Sequence, residues 1–345
     1  MKLKNITIEE RMKHDNVPDL SIPLIEHGQI SCTENYGLLE VGSNKKVNKD
    51  SMFSACSISK FLTAMLVMKL TEQGLLELDE DVNTRLMSWK VPENDLTKSK
   101  RVTLRNLLSH QSGIIDPENS FVELNFVTRI PSMVELLAGK TFYSEHSIEV
   151  RYEPEGEFHY SDAGFCLIQQ LIEDVTEKPF HRVMHELIFE PLNMSHSKLN
   201  TTMLELDKKV SACGHDKNGK LVDGKYPIYP YPASSGLWTT SLDLARLVLE
   251  LINVVKGKSN IGISTSLAKE MITSQRGKNW TGLGVFLEGS AKQLEMTSLG
   301  WGIGFQCMAV AFPYLEKGAV IMTNAELGVH QMEGVIGEIY QSLMS

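Results

Sequence analysis

Apolar residues follow two patterns along this chain, one typical of helices and one typical of short strands. Helical spacing is densest over residues 61–70, where apolar side chains occupy almost the whole circumference of a helix. Such a segment suits a helix that is buried on several sides. Gly74 follows where a helix could end. Residues 53–74 therefore predict the most buried helix of the protein, together with its approach.

Further helical patterns fill the middle of the chain. Apolar spacing predicts helices over residues 103–110, 133–140, 164–178, 180–192 and 241–257. Ser241 is the expected N-cap of the last of these. Two later helices are predicted over residues 266–273 and 331–343. Residues 1–15 fit either a short amphipathic helix or an untethered tail.

Short segments with strand character lie near both ends. Residues 19–47 show alternation broken by glycines, and residues 281–289, 304–313 and 318–326 are glycine-bounded and rich in Val, Phe, Met and Ile. This order predicts an α/β (α+β) fold with an antiparallel sheet flanked by helices and an inserted, mostly helical domain. We place the sheet domain at residues 1–78 and 262–345 and the helical domain at 79–261. The active site is expected at the seam.

Composition narrows the classes of partner. The 345 residues carry a net charge of -9, which argues against binding nucleic acid or an anionic membrane surface. A small-molecule substrate is expected instead. Five cysteines without CxxC spacing favour a reducing compartment. No apolar run resembles a signal peptide or a membrane span, so the sequence predicts a cytoplasmic protein.

A reactive pair stands at the start of the predicted buried helix. Ser57 and Lys60 are three residues apart and would project from one helix face, so a hydroxyl and an amine could share a proton. Ser57 would also benefit from the free amides and dipole of the first turn. The same Ser-x-x-Lys pattern recurs from Ser43, Ser195 and Ser266, in polar segments or in a helix without companion motifs. Ser57 is therefore the candidate nucleophile.

Two later elements support this choice. Tyr160, Ser161 and Asp162 lie on a loop before a predicted helix, and a glycine-rich strand follows late in the chain. Their order matches a known serine mechanism. Residues 300–304, GWGIG, are not a dinucleotide loop, because a strand follows them where a helix is required.

Metal and cofactor chemistry find little support in the sequence. His181 and His185 are four residues apart on a predicted helix, but no third ligand stands at metal-binding spacing. Cys56 adjoins Ser57 without a charged partner at helical spacing, so it is expected in the core. We therefore expect no metal site and no cofactor.

These motifs resemble the serine β-lactamase-like family, which includes class C β-lactamases, penicillin-binding proteins, D-amino-acid peptidases and β-lactamase-like esterases. The matching segments, in order, are FSACSISK (53–60), LLSHQSG (107–113), EFHYSD (157–162), FEPLNM (189–194), ASSGLWTTSLDLAR (233–246) and MTN (322–324). The resemblance implies a β-lactamase/transpeptidase-like fold and an acyl-enzyme. It also implies Ser57 as nucleophile, Lys60 as its proton partner, and Tyr160 as the base that activates Ser57 and later a water.

The chain departs from the family at the third motif. Members carry Lys-Thr-Gly or His-x-Gly on a strand edge, whereas an ungapped match places Ser298, Leu299 and Gly300 there. A shifted register would place Trp301 and Gly302 at the motif. Both registers lack the usual cation. In the ungapped register, the backbone N–H of Trp301 would form an oxyanion hole with that of Ser57.

A second departure is Asp162, where the family has Asn. A carboxylate accepts hydrogen bonds but cannot donate to a substrate carbonyl, and it would hold Lys60 charged. Penicillins and D-Ala-D-Ala peptides carry a carboxylate that Asp162 would repel and that no third-motif cation would meet. We therefore expect a serine hydrolase that prefers small neutral esters or amides. The alternatives are a β-lactamase, a D-amino-acid peptidase, or a catalytically weak penicillin-binding sensor.

Overall fold

Both ends of the chain contribute strands to one antiparallel sheet, which confirms the predicted fold class. The computed structural model describes residues 7–124, 129–199 and 206–344. Its strands are β1 (Asp19–Glu26), β2 (Gln29–Gly37), β3 (Met52–Ser54), β4 (Lys198–Leu199), β5 (Leu237–Thr240), β6 (Phe286–Glu288), β7 (Glu295–Gly302), β8 (Phe305–Phe312) and β9 (Lys317–Thr323). The large sheet has the order β2-β1-β9-β8-β7-β6, and a small sheet has the order β3-β5-β4.

Except for a short helix over Asp95–Ser99, which the sequence did not predict, the helices occur close to where apolar spacing predicts them. They are α1 (Ile8–His14), α2 (Ser59–Glu72), α3 (Asp95–Ser99), α4 (Leu104–Leu108), α5 (Met133–Leu137), α6 (Asp162–Thr176), α7 (Phe180–Met184), α8 (Ser241–Val255), α9 (Thr265–Met271) and α10 (Val335–Met344). A π-helical turn, His185–Phe189, continues α7, and a 3-10 turn, Cys56–Ile58, precedes α2. The helical alternative for the first residues is therefore correct where the structure describes them.

One cap prediction is wrong. Thr240, and not Ser241, caps α8, because its side chain accepts a hydrogen bond from the backbone N–H of Asp243 at 3.1 Å. Ser241 is the first helical residue, and its hydroxyl lies 2.6 Å from that of Ser21 on β1. Threonine and serine are both good caps, so their sequence alone did not distinguish adjacent positions.

Helices cover both faces of the large sheet. Along β8, Met308 and Val310 pack in a core cluster with α1 and α10, whereas Cys307 and Ala309 belong to the cluster that contains α2 and α8. This division follows the two-residue period of a strand. The predicted buried helix is confirmed, since every residue of α2 from Ser59 to Met68 is buried.

The central segment of the chain also reaches the large sheet. Helix α8 packs on β1, β8 and β9, and β5 pairs with β3. The domain boundaries at residues 78/79 and 261/262 stay a prediction. Within the described residues, no helix is both long and apolar enough to cross a membrane.

Candidate active site

Ser57 lies on the sharp turn between β3 and α2. It is partly exposed, whereas every other residue from Ser51 to Met68 is buried. The preceding residue, Cys56, has a φ of 47°, a left-handed conformation that is uncommon for a residue with a β-carbon. Cys56 is only 2% exposed, so packing holds this strained backbone in place. The turn thereby brings the Ser57 hydroxyl out of an otherwise buried segment.

The ammonium group of Lys60 donates hydrogen bonds to three other groups of the site. Its Nζ donates to Ser57 Oγ at 3.3 Å, to Asp162 Oδ1 at 2.5 Å and to the backbone carbonyl of Ser234 at 3.2 Å. It also lies 4.8 Å from the centre of the Tyr160 ring. Lys60 is 3% exposed. Three acceptors match the three protons of an ammonium, so the charged form is well satisfied despite burial.

The pKa of Lys60 is raised above its ordinary value. Burial is the largest single influence and lowers the pKa, but the negative charge of Asp162, the electrostatic influence of Tyr160 and the hydrogen bonds to both residues together outweigh it. Lys60 is therefore a cation at neutral pH. A charged lysine can donate hydrogen bonds to Ser57, but it cannot accept the proton of its hydroxyl.

Tyr160 stands on the loop that leads into α6 and is 41% exposed. Its ring stacks on His110, with ring centres 4.5 Å apart and planes at 25°. The backbone N–H of His159 also donates to the carbonyl of His110 at 2.8 Å. Stacking and backbone pairing together fix the height and tilt of the tyrosine ring above Lys60.

His110 is a supporting residue to which the sequence analysis gave no role, although it belongs to the matching segment LLSHQSG. It accepts a hydrogen bond at Nδ1 from the backbone N–H of Ser161 at 3.1 Å, so the neutral ring carries its proton on Nε2. Burial, assisted by the charge of Lys60, lowers the pKa of His110 to about 3. The ring is therefore neutral at physiological pH and serves as an aromatic platform for Tyr160.

Asp116 is a second supporting residue that the sequence did not reveal. Its carboxylate accepts from the Ser161 hydroxyl at 2.9 Å and from the backbone N–H groups of Asp162 and Ala163 at 2.9 and 2.8 Å. Burial and the negative charge of Asp162 raise the pKa of Asp116 above its ordinary value. Asp116 thus holds the turn that carries Tyr160 and Asp162, and its carboxylate lies close enough to Asp162 for the two negative charges to interact.

Strand β7 forms the opposite wall. At Gly300, an added β-carbon would lie 2.4 Å from the carbonyl oxygen of Ala55, two residues before Ser57, and 2.4 Å from Cys307 Sγ. Only glycine permits this approach of β7 to the nucleophile turn. The role of Gly300 visible in the structure is therefore close packing behind the site.

The backbone of Trp301 faces the free edge of β7. Gly302 pairs with Phe305 across a two-residue turn, and Gly300 pairs with Cys307. In an antiparallel hairpin, hydrogen-bonded pairs alternate with pairs that share no hydrogen bond, and the pair that closes a two-residue turn is hydrogen-bonded. The intervening pair, Trp301 and Gln306, is therefore not hydrogen-bonded. The N–H of Trp301 thus points away from β8, toward the edge that adjoins the Ser57 turn. The side chain of Trp301 is 45% exposed.

A narrow pocket connects these elements. It is lined by Ser57, Lys60, His110, Tyr160, Gly284, Val285, Phe286, Ser298 and Leu299. Its cavity volume of about 20 Å³ leaves room for about one water molecule. The structure thus brings Ser57, Lys60, Tyr160 and Ser298 to one pocket, with Asp162 against Lys60. The side chain of Trp301 does not line the pocket. Among the lining residues, Lys60 is the one that carries a positive charge.

Comparison with known proteins identifies the family. Residues 6–335 match the sequence profile of a family described as Beta-lactamase. The chain belongs to this family. Protein flp of Staphylococcus aureus (strain N315) is 24% identical over 236 residues, which cover 68% of this chain and 43% of that protein. The chain thus spans less than half the length of this relative.

Two solved structures share the fold. The octameric penicillin-binding protein homologue from Pyrococcus abyssi has a TM-score of 0.78 at 24% identity, covering 98% of this chain and 75% of its own. The D-amino acid amidase from Ochrobactrum anthropi SV3, solved with D-phenylalanine, has a TM-score of 0.77 at 20% identity, covering 98% and 96%. At these identities the likeness shows the Beta-lactamase fold.

Proposed function

We propose that this protein is a serine hydrolase that forms an acyl-enzyme on Ser57. The observation that carries the proposal is the Lys60 ammonium, which donates to Ser57 Oγ at 3.3 Å and to Asp162 at 2.5 Å in a pocket that Tyr160 also lines. A partly exposed hydroxyl, a fixed cation and a second titratable group are the parts that nucleophilic acyl transfer needs.

The positive charge of Lys60 determines which residue can act as the base that deprotonates Ser57. Because Lys60 is already protonated, another group must accept the proton of Ser57. His110 lines the pocket, but its Nδ1 is occupied by Ser161, and its pKa of about 3 makes it a poor base. Tyr160, acting as the phenolate beside the Lys60 cation, remains as the base for acylation, and later for the water that cleaves the acyl-enzyme. Throughout the reaction, the positive charge of Lys60 stabilises negative charge on the neighbouring oxygen atoms.

Negative charge on the substrate oxygen would be met by two backbone donors. Ser57 lies in the 3-10 turn that opens α2, where N–H groups are directed outward from a helix start. The N–H of Trp301 points to the same side from the edge of β7, which supports the ungapped register. Together these two groups would form the oxyanion hole.

The charges around the pocket favour a neutral ester or amide substrate. Asp162 lies against Lys60 with Asp116 behind it, and Ser298, the residue that the ungapped match aligns with the family's cation, lines the pocket without a charge. The three protons of Lys60 are already engaged by protein acceptors. A substrate carboxylate that entered the pocket would therefore lose its hydration shell without gaining an ionic or hydrogen-bonding partner. The amidase among the structural neighbours is consistent with amide chemistry on this fold.

Turnover of p-nitrophenyl butyrate tests the proposal. The parent should hydrolyse it, and Ser57→Ala should abolish hydrolysis with an unchanged melting temperature. Ser266→Ala is the matched control, because Ser266 heads another Ser-x-x-Lys pattern and lies exposed on α9. It should retain parental activity. Equal activity in Ser57→Ala and the parent would contradict the proposal.

A catalytically weak sensor is the second candidate, because a cavity with room for about one water molecule would have to widen before it could hold an acyl group. Stable acylation by a penicillin without measurable turnover of esters would favour it. A cytoplasmic location stays a prediction, supported by five unpaired cysteines, four of them buried.

A further inference from the structure

Three aromatic side chains stand together beside the pocket. Phe158 and Trp280 meet edge to face with ring centres 4.5 Å apart, and Phe286 lies 6.2 Å from Trp280 and 6.4 Å from Phe158. We call this group the aromatic cluster. Trp280 is 41% exposed, and the other two are half-buried. The cluster therefore presents apolar ring surface to solvent next to the reactive groups.

The cluster is continuous with the proposed catalytic groups. Phe286 lines the same pocket as Ser57 and Tyr160. Phe158 meets His110 edge to face at 5.3 Å, and His110 is the ring on which Tyr160 stacks. The aromatic surface thus begins in the pocket and continues outward on the side of Tyr160.

The backbone holds the cluster rigidly against α2. The N–H of Leu287 donates to the carbonyl of Trp280 at 2.8 Å, and Gly284 donates to the carbonyl of Leu108 at 2.8 Å. An added β-carbon at Gly284 would lie 2.6 Å from Ala64 Cβ, so the loop between Trp280 and Phe286 is seated directly on the helix that carries Lys60. A preformed surface loses little entropy when a ligand binds.

The position of Tyr160 decides which part of a substrate meets this surface. We propose that the aromatic cluster binds an apolar or aromatic leaving group, that is, the alcohol of an ester or the amine of an amide; this inference rests on the proposed function. When acylation occurs, the bond from the carbonyl carbon to the leaving atom breaks. Tyr160 then returns to the leaving atom the proton it took from Ser57, so that atom must lie against Tyr160. The cavity is too small to enclose a ring, so the leaving group extends outward over the cluster.

The test separates the two halves of the substrate. Three esters are compared: 2-naphthyl acetate, trifluoroethyl acetate and trifluoroethyl 3-phenylpropanoate. Only the first has an aromatic leaving group, and only the third has an aromatic acyl group. Each kcat/KM of a variant is divided by the parental value for the same ester, which removes the intrinsic reactivity of each leaving group.

Trp280→Ala should lower the ratio for 2-naphthyl acetate by roughly 3- to 10-fold relative to trifluoroethyl acetate, the scale of one lost aromatic contact. Trp280→Phe, which keeps a ring, should restore most of it. Phe142→Ala is the control, because Phe142 is 57% exposed and pairs with Tyr143, which is not among the pocket's lining residues. It should leave all three ratios near one.

Three results would overturn the inference. A loss confined to the 3-phenylpropanoate would assign the cluster to the acyl group. Equal losses on all three esters, with an unchanged melting temperature, would show no recognition of the leaving group. Absence of ester turnover in the parent, or turnover that survives Ser57→Ala, would overturn the proposed function and this inference with it.

Discussion

Lys60 Nζ and Asp162 Oδ1 lie 2.5 Å apart and join the first turn of α2 to the first residue of α6. The pair connects two helices far apart in the sequence, and the side chains are only 4% and 22% exposed. Removing one member would leave the other charge poorly solvated. The charge state of Lys60, and so the choice of Tyr160 as base, depends on this contact.

Lys60→Ala and Tyr160→Phe should each lower kcat/KM for p-nitrophenyl butyrate on the order of 100-fold or more, the usual effect of losing acid-base help. Because the two residues act as one unit, the double variant should be nearly as active as the weaker single variant. Steady-state kinetics of all four proteins measure the coupling. Multiplication of the single effects would show that they act independently.

The charges around the pocket predict that substrate selectivity can be changed by substitution. Asp162→Asn combined with Ser298→Lys should raise acylation by nitrocefin relative to p-nitrophenyl butyrate, because a lysine at 298 enters the pocket and meets the carboxylate. One charge-assisted hydrogen bond contributes about 1.5 to 3 kcal/mol, roughly 10- to 150-fold.

Trp301→Lys, combined with Asp162→Asn, is the matched control for register. The side chain of Trp301 is absent from the pocket lining, so this variant should leave the ratio near that of Asp162→Asn alone. A parent that already prefers nitrocefin, or a ratio that neither lysine shifts, would show that pocket shape and not charge sets specificity.

Gly300→Ala should destabilise the protein by about 1 to 3 kcal/mol and lower activity, because the new methyl group would collide with Ala55 and Cys307. The displacement of β7 would move the N–H of Trp301 away from Ser57. Gly164→Ala on α6 is the control, since its nearest neighbour, Leu107, lies at an ordinary 3.5 Å. Urea unfolding and ester kinetics on both variants decide; a Gly300→Ala protein as stable and active as the parent would refute the close packing.

His110 makes stability depend on pH. Its pKa is about 3 in the folded protein and 6.5 ordinarily, so below pH 6.5 the unfolded chain binds a proton that the folded protein does not. Stability is thereby lost as the pH falls from 6.5 toward 3. His110→Asn keeps an acceptor for Ser161 and suits the φ of 57° at this position.

The parent should therefore lose about 2 to 3 kcal/mol more than His110→Asn when urea unfolding is compared at about pH 7 and about pH 4.5. An equal loss in both proteins would mean that His110 protonates freely in the folded state.

Local patterns predicted the parts of the site that lie close together in sequence. The apolar circumference of α2 and the three-residue spacing placed Ser57 beside Lys60, because the 3-10 turn that carries Ser57 leads directly into α2 and keeps the two side chains close. The sequence of β7, EMTSLGWG, has few β-branched residues, so the apolar pattern did not predict a strand there. Only the family resemblance placed a strand edge at this position, as the site of the third motif. The predicted strand set over residues 281–326 thus lacked one full strand of the large sheet.

Contacts made only by tertiary folding were not predictable. Asp116 reaches Ser161 and Asp162 from 45 and 46 residues away, and no spacing rule relates them. The aromatic cluster gathers Phe158 from the loop before α6 with Trp280 and Phe286 from near β6, so it becomes visible only when both walls of the pocket are assembled.

The most direct test of the central claim is the intact mass of the protein after treatment with a fluorophosphonate. We predict a single covalent adduct, mapped to Ser57, that disappears in Ser57→Ala and persists in Ser266→Ala. Prior incubation with a substrate ester should slow its formation. An adduct on another residue, or an unmodified Ser57 in a folded protein, would contradict the assignment of Ser57 as the nucleophile.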